Sequence, residues 1–563
     1  MYLRTTRRKN QDGSVVEYYQ LAENVWDAEK GCAVAKVVYN FGRADQLDHA
    51  ALQRLAKSIL RVFPGEEAMA AAPGVRIRNA WPYGAVHAVD AIWRELGIDK
   101  VIGGLTKRHG TRQPFERALF AMVANRTHEP CSKLYRREQW LGEEVFFPGE
   151  ETLELEHLYR AMDFLEAHKE QVEKEIFFRT ADLMKADVDL IFYDTTSLHF
   201  EVDEEDRIAQ HGNELAGRKE YPPLRKRGHS KNGRGDAPQI VVGLAVTRDG
   251  LPVRSWVFPG QTTDVTTVEK VKEDLRGWRL GRCVFVGDAG MNSEENRRTL
   301  SLGGGKYILA ARMRAGDAIS REVLTRAGRY QVVAENLRVK EVVVGDGERR
   351  QRYVVCSNPE EAERQGSHRK EVLADLGREL ASLRKPKRGE NHSKRTCQLL
   401  STPRYARYLR QTRRGALEID RAAVRAEEKL DGKWVVTSND DTLSAEDLAL
   451  GYKQLMRVES CWRTIKSGLR TRPVFHWKPH RISAHVSLCV LALLIERIAE
   501  IRTGQTWRNV RALLDTVKVV EYERGEAVVR QTTELRDGVE ALLHKLKIAA
   551  PPRFHGVQTA SAA

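Results

Sequence analysis

The sequence lacks several patterns that mark well-known classes of enzyme. Its seven cysteines are scattered and none forms a C-x-x-C pair, which argues against a structural zinc site and favours a reducing compartment. The histidines form no H-E-x-x-H or H-x-H spacing, so a zinc-hydrolase centre is not indicated. A G-x-x-x-x-G-K-[ST] motif is also missing, and ATP-driven chemistry is therefore not supported.

Long hydrophobic runs are equally scarce. The longest largely apolar stretch, residues 486–495, is far shorter than the ~20 residues that span a membrane. The N-terminal MYLRTTRRKN has no apolar core of a signal peptide. Internal repeats and low-complexity tracts are missing as well. We therefore expect a soluble protein without a membrane partner, and its 563 residues allow about two to four domains.

Positive charge is present in excess. The chain has 93 Lys and Arg against 78 Asp and Glu, a formal net charge of +15 and a sequence pI near 9.4. This balance favours a polyanionic partner such as nucleic acid. A merely solvated basic surface gives the same totals, so the charge alone does not decide the function.

The secondary-structure signals change along the chain. Residues 1–185 contain helical patterns such as HAALQRLAKSILRVF and FERALFAMVANR. From residue 186 the order becomes strand, strand, strand, helix, strand, helix, strand. Residues 313–433 interrupt this order with short strands and one charged helix. A strand then follows in KWVVTSNDD, and helices continue beyond it. This alternation is typical of an α/β protein.

Two aspartates occupy strand positions. Asp194 lies inside LIFYDTTSLHF, where an unpaired charge is costly to bury, and Asp288 ends the run CVFVGD. Carboxylates at the ends of such elements can hold the divalent ions of phosphoryl-transfer enzymes. An Asp at the end of a strand also commonly caps a helix or begins a turn, and that interpretation stays open for both residues.

A helical pattern after residue 444 carries a third candidate, Glu459. Tyr452, Glu459 and Lys466 are spaced seven apart, and at ~100° per residue they lie within about 40° of one another on the helix. An apolar stripe borders this face, so we expect Glu459 to lie beside the buried side rather than point into bulk water. The alternative is a solvated Glu459 that pairs with Arg463 one turn later.

These segments together resemble a known family. YDTT, GDAGMNSEEN and YKQLMRVESCWRTIKSGLRTRPVFHW resemble the DDE transposases of bacterial insertion sequences, in the branch with a Y-R-E-K signature. The resemblance covers residues 185–500, and ANRTHEPCSKLYRREQWL resembles the helical leader of that branch. Leu455 stands where the signature has Arg. Arg457 is about 160° from Glu459 around the helix, whereas Arg463 is about 40° away and is the better placed cation.

The resemblance implies a fold and its division into regions. It implies an α/β protein with an RNase H-like core, in which a mixed five-stranded sheet is flanked by helices. Asp194 would lie on the first strand, Asp288 after the fourth and Glu459 on a later helix. The regions would be an N-terminal mainly helical DNA-binding region at 1–185, the first part of the catalytic domain at 186–312, a β-rich insertion at 313–433, the second catalytic part at 434–503, and a C-terminal region with a disordered tail at 504–563.

The resemblance also implies an activity. Asp194, Asp288 and Glu459 would hold two Mg²⁺ or Mn²⁺ ions and would cut DNA at the ends of an element and join the 3′-OH to target DNA. The partners would be double-stranded DNA, as terminal inverted repeats and target, and a second copy of the chain in a synaptic homodimer. We expect a cytoplasmic protein at the bacterial nucleoid. A catalytically inactive DNA-binding protein and a nuclease of the same fold are the alternatives.

Basic side chains near these acids are candidates for DNA contact. The Gly-containing loop EYPPLRKRGHSKNGRGDAP carries Arg227, Lys231 and Arg234, and its glycines would let a phosphate chain approach the backbone. A solvated loop is the alternative. On the helix that carries Glu459, the DNA-contact candidates are Tyr452, Arg463 and Lys466.

Overall fold

A computed structural model describes residues 1–10, 15–27, 30, 32–62, 75–186, 188–231, 233–280, 283–314, 322–347, 350–384, 392–413, 415–524 and 527–559. The chain divides into two compact units. One comprises residues 1–79, 520–530 and 555–563, and the other comprises residues 80–519 and 531–554.

The secondary-structure elements have the following bounds. The strands are β1 Tyr2–Lys9, β2 Val15–Asp27, β3 Cys32–Arg43, β4 Val75–Pro82, β5 Leu190–His199, β6 Gln210–His211, β7 Glu220–Tyr221, β8 Gln239–Val246, β9 Pro252–Pro259, β10 Val284–Gly287, β11 Lys306–Ala311, β12 Gln331–Ala334, β13 Leu337–Val344, β14 Gln351–Ser357, β15 Leu409–Gln411, β16 Leu417–Ile419, β17 Lys433–Ser438, β18 Lys518–Arg524, β19 Ala527–Thr532 and β20 Phe554–Thr559. The α-helices longer than four residues are α1 His49–Val62, α2 Gly84–Glu95, α3 Ile98–Arg108, α4 Phe115–His128, α5 Leu155–Ala167, α6 Lys169–Met184, α7 Asp264–Gly277, α8 Glu294–Ser301, α9 Pro359–Arg384, α10 His392–Ser401, α11 Arg421–Glu428, α12 Ala445–Lys453, α13 Met456–Arg463, α14 Pro479–Thr503, α15 Trp507–Leu514 and α16 Asp537–Leu546.

The first unit begins with strands, and the expectation that residues 1–185 are mainly helical is wrong for its N-terminal part. β1, β2 and β3 form an antiparallel sheet, and α1 follows them. The segments VVEYYQLAENVWD and CAVAKVVYNFGR are rich in Val, Tyr and Phe, which fit a pleated surface better than a helix. Residues 554–559, predicted to lie in a disordered tail, form β20, whereas residues 560–563 lie outside the described residues.

The second unit begins with the helices that the pattern predicted, α2 to α6. α4 is buried along nearly its whole length, because its apolar residues are spread around its circumference, and it packs against α5 and α14. Helix α14 is long and apolar enough to cross a membrane, but 94% of its apolar window is buried inside the protein. It is therefore the central helix of this core.

A nine-stranded mixed sheet dominates the second unit, with the order β12-β13-β14-β17-β11-β10-β5-β8-β9. The predicted order of strands and helices is confirmed as β5, β8, β9, α7, β10, α8 and β11. β8 and β9 are antiparallel neighbours on one side of β5, whereas β10 and β11 run parallel to β5 on the other side.

The expected five-stranded sheet is too small. β17 pairs with the far edge of β11, and β14, β13 and β12 extend the sheet beyond it. Strands β12, β13 and β14 of the 313–433 segment are thus part of the main sheet, because pairing satisfies backbone groups that an exposed edge would leave open, whereas β15 and β16 form a separate two-stranded sheet. The charged helix α9 and the elements after it form their own apolar cluster, around Leu376.

The helix expected to run unbroken through Tyr452, Glu459 and Lys466 is interrupted. α12 ends at Lys453 and α13 begins at Met456, while residues 464–468 form a π-helical turn. The amides of Leu455, Arg457 and Val458 each bond the carbonyl three residues earlier, which tightens the turn there. The angles computed for a regular α-helix therefore do not hold across this segment.

Candidate active site

Asp194 and Asp288 lie on neighbouring parallel strands. β5 and β10 pair with Phe192 opposite Val286, and two residues further along this register Asp194 stands beside Asp288. Strands paired in this way are about 4.8 Å apart. Burial is the main cause that raises the pKa of the Asp194 carboxyl to about 6; Lys231 opposes this shift, and the charges of Asp288 and Asp264 add to it. The two aspartates of the sequence prediction are thus brought together.

Asp288 makes the capping contact that the sequence left as one alternative. It is exposed, and its Oδ1 accepts a hydrogen bond of 2.6 Å from the backbone N–H of Ala289 at the start of a short 3₁₀ turn. Its second carboxylate oxygen is not used in this cap. Asp288 therefore caps its own turn and still lies beside Asp194.

Glu459 approaches the aspartates from the helix layer. α13 packs on β5 and β8, and burial followed by the negative charges of Asp288, Glu459 and Asp194 raises the pKa of Tyr452. The half-buried Tyr452 phenol thus lies within electrostatic reach of all three carboxylates. Glu459 itself is exposed, so the expectation that it borders the buried side is wrong. The break before α13 changes the angle at which this residue leaves the helix.

Lys231 places a positive charge among these acids. Its Nζ lies 3.0 Å from Asp264 Oδ2 and 3.7 Å from Asp194 Oδ1. The same ammonium donates to the backbone oxygen and to Oγ1 of Thr195, both at 2.9 Å. Lys231 was predicted to contact DNA, but here it joins two carboxylates of the site.

Asp264 was not predicted from the sequence to belong to the site. This residue begins α7, and its Oδ1 accepts a hydrogen bond from the Thr195 hydroxyl. A Cβ added to Gly290 would lie 3.1 Å from Asp264 Oδ2, so the loop after Asp288 also comes close to this carboxylate. An acid in the first turn of a helix is common for electrostatic reasons, and its position therefore gave no signal of a role in the site.

A cavity of about 500 Å³ opens beside Lys231 and Asp264. Strand β5 contributes hydroxyl groups to its wall, and the loop after Asp288 contributes Gly290 and Asn292. Its lining residues are Thr195, Thr196, Ser197, His229, Lys231, Val241, Thr262, Thr263, Asp264, Val265, Gly290, Asn292, Ser293 and Arg312.

Lys466 lies near the same carboxylates. Burial lowers the pKa of this lysine, Arg472 and Lys231 lower it further, and the charge of Asp194 opposes them. Lys466 and Lys231 are thus two cations that lie near the Asp194 carboxylate. Leu455, at the position where the related signature has Arg, is 6% exposed and has packed into the core.

Arg227 and Arg234 are engaged inside their own loop. Arg227 donates to the carbonyl oxygens of Asp203 and Asp236 at 2.6 and 3.1 Å, and lies 3.7 Å from Glu205. Arg234 pairs with Asp236 at 3.0 Å and with Glu201 at 3.4 Å. The structure therefore does not bring these two arginines to the carboxylates.

Arg463 also lies apart from the carboxylates. It lines a different and larger cavity, together with Arg457. Regular helix geometry predicted different angles to Glu459 for these two arginines, but in the structure they line one surface.

The donor set of the site fits a hard divalent cation. Such ions prefer carboxylate oxygens, and here a positively charged nitrogen already stands between Asp194 and Asp264. Within the described ranges, no three His, Cys, Asp or Glu side chains are gathered closely enough to form a complete metal centre. The carboxylates are thus suitable ligands for a divalent cation, but in this structure their side chains are too far apart to bind one ion together.

Comparisons with known proteins give two family matches. A model described as "Transposase DDE domain" matches residues 208–495, just over half of the chain. A second, described as "IS1634 family transposase, N-terminal domain", matches residues 3–68. Among solved structures, the piggyBac transposase synaptic complex with hairpin DNA aligns with a TM-score of 0.36 and 9% identity, over 78% of this chain and 82% of that chain. No curated protein matches the sequence.

Proposed function

The chain belongs to the DDE transposase family, and from this premise we propose that it cuts DNA at the ends of an insertion sequence and joins the freed 3′-OH to target DNA. One observation carries this proposal. Asp194 and Asp288 are brought side by side by the paired parallel strands β5 and β10, and helix α13, which carries Glu459, packs on β5.

The catalytic core proposed for this reaction is RNase H-like. The strand order β9-β8-β5-β10-β11 supports this assignment, with the first three strands antiparallel and the last two parallel to β5. In this arrangement Asp194 lies on the first strand and Asp288 follows the fourth.

Divalent metal ions are the general cofactor of this family. We assign two Mg²⁺ or Mn²⁺ ions to Asp194, Asp288 and Glu459. When bound, such ions activate the attacking oxygen and stabilise the leaving oxygen of an in-line displacement. The Lys231 ammonium contacts both Asp194 and Asp264. Asp264 therefore lies close to the position that we assign to the metal ions.

The side chains of the site prepare it for a polyanionic substrate. Asp194 is ionised above a pH of about 6, and its strand holds it beside Asp288. Lys231 neutralises Asp194 and Asp264 until it leaves them, and its ammonium can then pair with a DNA phosphate. Lys466 adds a second cation on the same side, and Tyr452 supplies a hydroxyl among the carboxylates.

Double-stranded DNA is the partner that follows from the family. The finer assignments are ours: residues 1–185 recognise the terminal inverted repeats, a homodimer pairs two ends in the synaptic complex, and the reaction takes place at the nucleoid in the cytoplasm. Arg227 and Arg234 stiffen the loop that delivers Lys231, and in this proposal they contact DNA only where their internal ion pairs open.

The test uses purified protein and linear DNA that carries the genomic sequences on either side of the coding region, with Mg²⁺. Nicks and strand joints are mapped for the parent and for Asp194→Ala. We expect both products from the parent and neither from the variant. Nicks without joints would identify a nuclease instead. No product from either protein would identify an inactive DNA-binding protein, and both results contradict the proposal.

A further inference from the structure

A second concave surface lies on another side of helix α13. This arginine cavity, of about 820 Å³, is lined by residues of α13, the π-helical turn at 464–468, α14 and α15, and by the end of α4 and the turn at Gly250. All of these elements belong to the second unit. Its lining includes six arginines, namely Arg457, Arg463, Arg470, Arg497, Arg508 and Arg511.

Two of these arginines form the inner wall and are paired. Arg497 donates to Glu500 at 2.5 Å and to the carbonyl oxygen of Asp249 at 2.9 Å. Arg511 lies 3.7 Å from Asp515. The acids of the inner wall are thus already matched by cations, and these pairs hold α14 and α15 in place.

The four outer arginines differ from the inner pair. Arg457, Arg463, Arg470 and Arg508 are exposed, and within the described part of the chain no carboxylate lies within 4 Å of their guanidinium groups. The lining carboxylate that opposes them is that of Glu129, which is exposed as well. The mouth of the cavity therefore carries a clear excess of positive charge.

The remaining acid of the cavity does not cancel this excess. Glu496 is 5% exposed, and burial, together with the charge of Glu500, raises its pKa well above the usual value. Burial thus disfavours the negative charge that would offset the arginines.

The backbone fixes one of the outer arginines in an unusual conformation. Arg470 has a φ of +43°, a backbone conformation that residues other than glycine rarely adopt. Buried Arg126 holds this turn by donating to the carbonyl oxygens of Leu469 and Arg470, at 3.2 and 3.0 Å. Strain of this kind persists only where the surroundings enforce it, and it is concentrated at functional sites.

We propose that the arginine cavity binds the sugar–phosphate backbone of DNA on another side of the helix that carries Glu459. Guanidinium groups recognise phosphates with two parallel hydrogen bonds. Hydroxyl groups complete such contacts, and Ser460, Thr464 and Ser467 line the same wall. Gly468, also in the wall, lets a phosphate chain come close to the backbone.

The position of the cavity links it to the proposed function, on which this inference rests. Arg457, Ser460, Cys461 and Thr464 recur at the i, i+3, i+4 and i+7 positions and line the cavity. Glu459 is not part of this wall. Helix α13 therefore presents a catalytic carboxylate on one side and a DNA-backbone surface on another, so that DNA bound in the cavity would set the position of the helix that carries Glu459.

The experiment compares DNA binding by the parent and by the double variant Arg463→Gln/Arg508→Gln. A fluorescein-labelled duplex of arbitrary sequence is titrated by fluorescence anisotropy between about 50 and 200 mM salt. Each lost phosphate contact lowers the slope of log Kd against log salt by about 0.9, so we expect a fall of about two and an affinity loss of about ten- to a hundredfold.

Matched variants make the result interpretable. Arg421→Gln/Arg425→Gln removes two exposed arginines of α11 and should leave the slope unchanged. Arg463→Lys/Arg508→Lys keeps the charge and should recover most of the slope, which separates a DNA contact from a folding defect. All proteins also carry Asp194→Ala, so that binding is measured whether or not the enzyme cuts. Equal slopes for the parent, the cavity variant and the α11 variant would overturn the proposal.

Discussion

Two regions of this transposase are rich in cations, and they use them differently. In the loop at 225–234, Arg227, Lys231 and Arg234 all contact acidic residues or carbonyl oxygens of the protein. Among the described residues, no carboxylate or carbonyl oxygen pairs with the outer arginines of the arginine cavity. Composition alone favoured the loop as the DNA surface, but a cation already paired with a carboxylate must give up that pair before it can bind a phosphate. The two regions therefore differ in whether their cations are already paired within the protein, and not in the number of their charges.

Asp194→Ala should produce the largest effect. It should show that the catalytic site lies next to the loop that carries Lys231 and not in the arginine cavity. We expect strand cutting to fall by about a thousandfold or more, since a metal ion contributes several kcal/mol to transition-state stabilisation. DNA affinity should stay unchanged or rise slightly, because a negative charge is lost. The assay is single-turnover cutting of end DNA. Glu204→Ala, which removes an exposed acid nearby, should cut like the parent, and equal losses in both variants would contradict the assignment.

Asp194→Asn should change the pH dependence of stability. The folded-state pKa is raised from 3.8 to about 6, so the stabilising contribution of Asp194 is complete below pH 4 and is lost as the pH rises through 6. The variant should therefore be more stable than the parent above pH 6, by at most about 3 kcal/mol. Denaturation midpoints at pH 7.5 and pH 4 measure this difference. A gap that fails to shrink at the lower pH would count against a raised pKa of Asp194 in the folded protein.

Lys231→Met tests whether the loop lysine limits metal binding, because it removes the cation that pairs with Asp194 and Asp264. Because its ammonium competes for Asp194 and Asp264, its removal should tighten Mn²⁺ binding by about fivefold, the equivalent of one ion pair of roughly 1 kcal/mol. Titration calorimetry at pH 7.5 gives the affinity. Lys226→Met, which removes a partner of Glu205 at 3.5 Å, is the matched control. Unchanged or weaker Mn²⁺ binding would show that Lys231 does not hold the metal position.

The smallest effect is expected for Arg227→Gln and Arg234→Gln. Each arginine is satisfied within its loop, so DNA affinity should fall by less than about threefold, the range of an exposed ion pair. The measurement is the same salt-dependent anisotropy titration that is applied to the arginine cavity. A loss as large as that of the cavity variant would remove the distinction between the two regions.

Much of the catalytic half was predictable from the sequence because its signals are local. The apolar run around Asp194 and the strand that ends at Asp288 mark both aspartates, and the order of strands and helices was correct. β1 to β3 were missed because exposed strands lack the alternation that identifies a half-buried sheet.

Other features depend on contacts between distant segments. Asp264 and Lys231 meet Asp194 from residues 70 and 37 positions away in the chain, and no periodicity reports such a meeting. The tightened turn before α13 is invisible to a calculation that assumes a regular helix. The arginine cavity joins residues from 127 to 515, so its charge excess emerges only when the chain is folded.

The most direct test of the central claim is an anomalous difference map, recorded at the manganese absorption edge, from crystals of the protein soaked with Mn²⁺. We predict density within about 2.2 Å of carboxylate oxygens of Asp194, Asp288 and Glu459, with the Lys231 ammonium displaced from Asp194. Manganese bound elsewhere, or an unchanged contact between Lys231 and Asp194 at saturating Mn²⁺, would contradict the account.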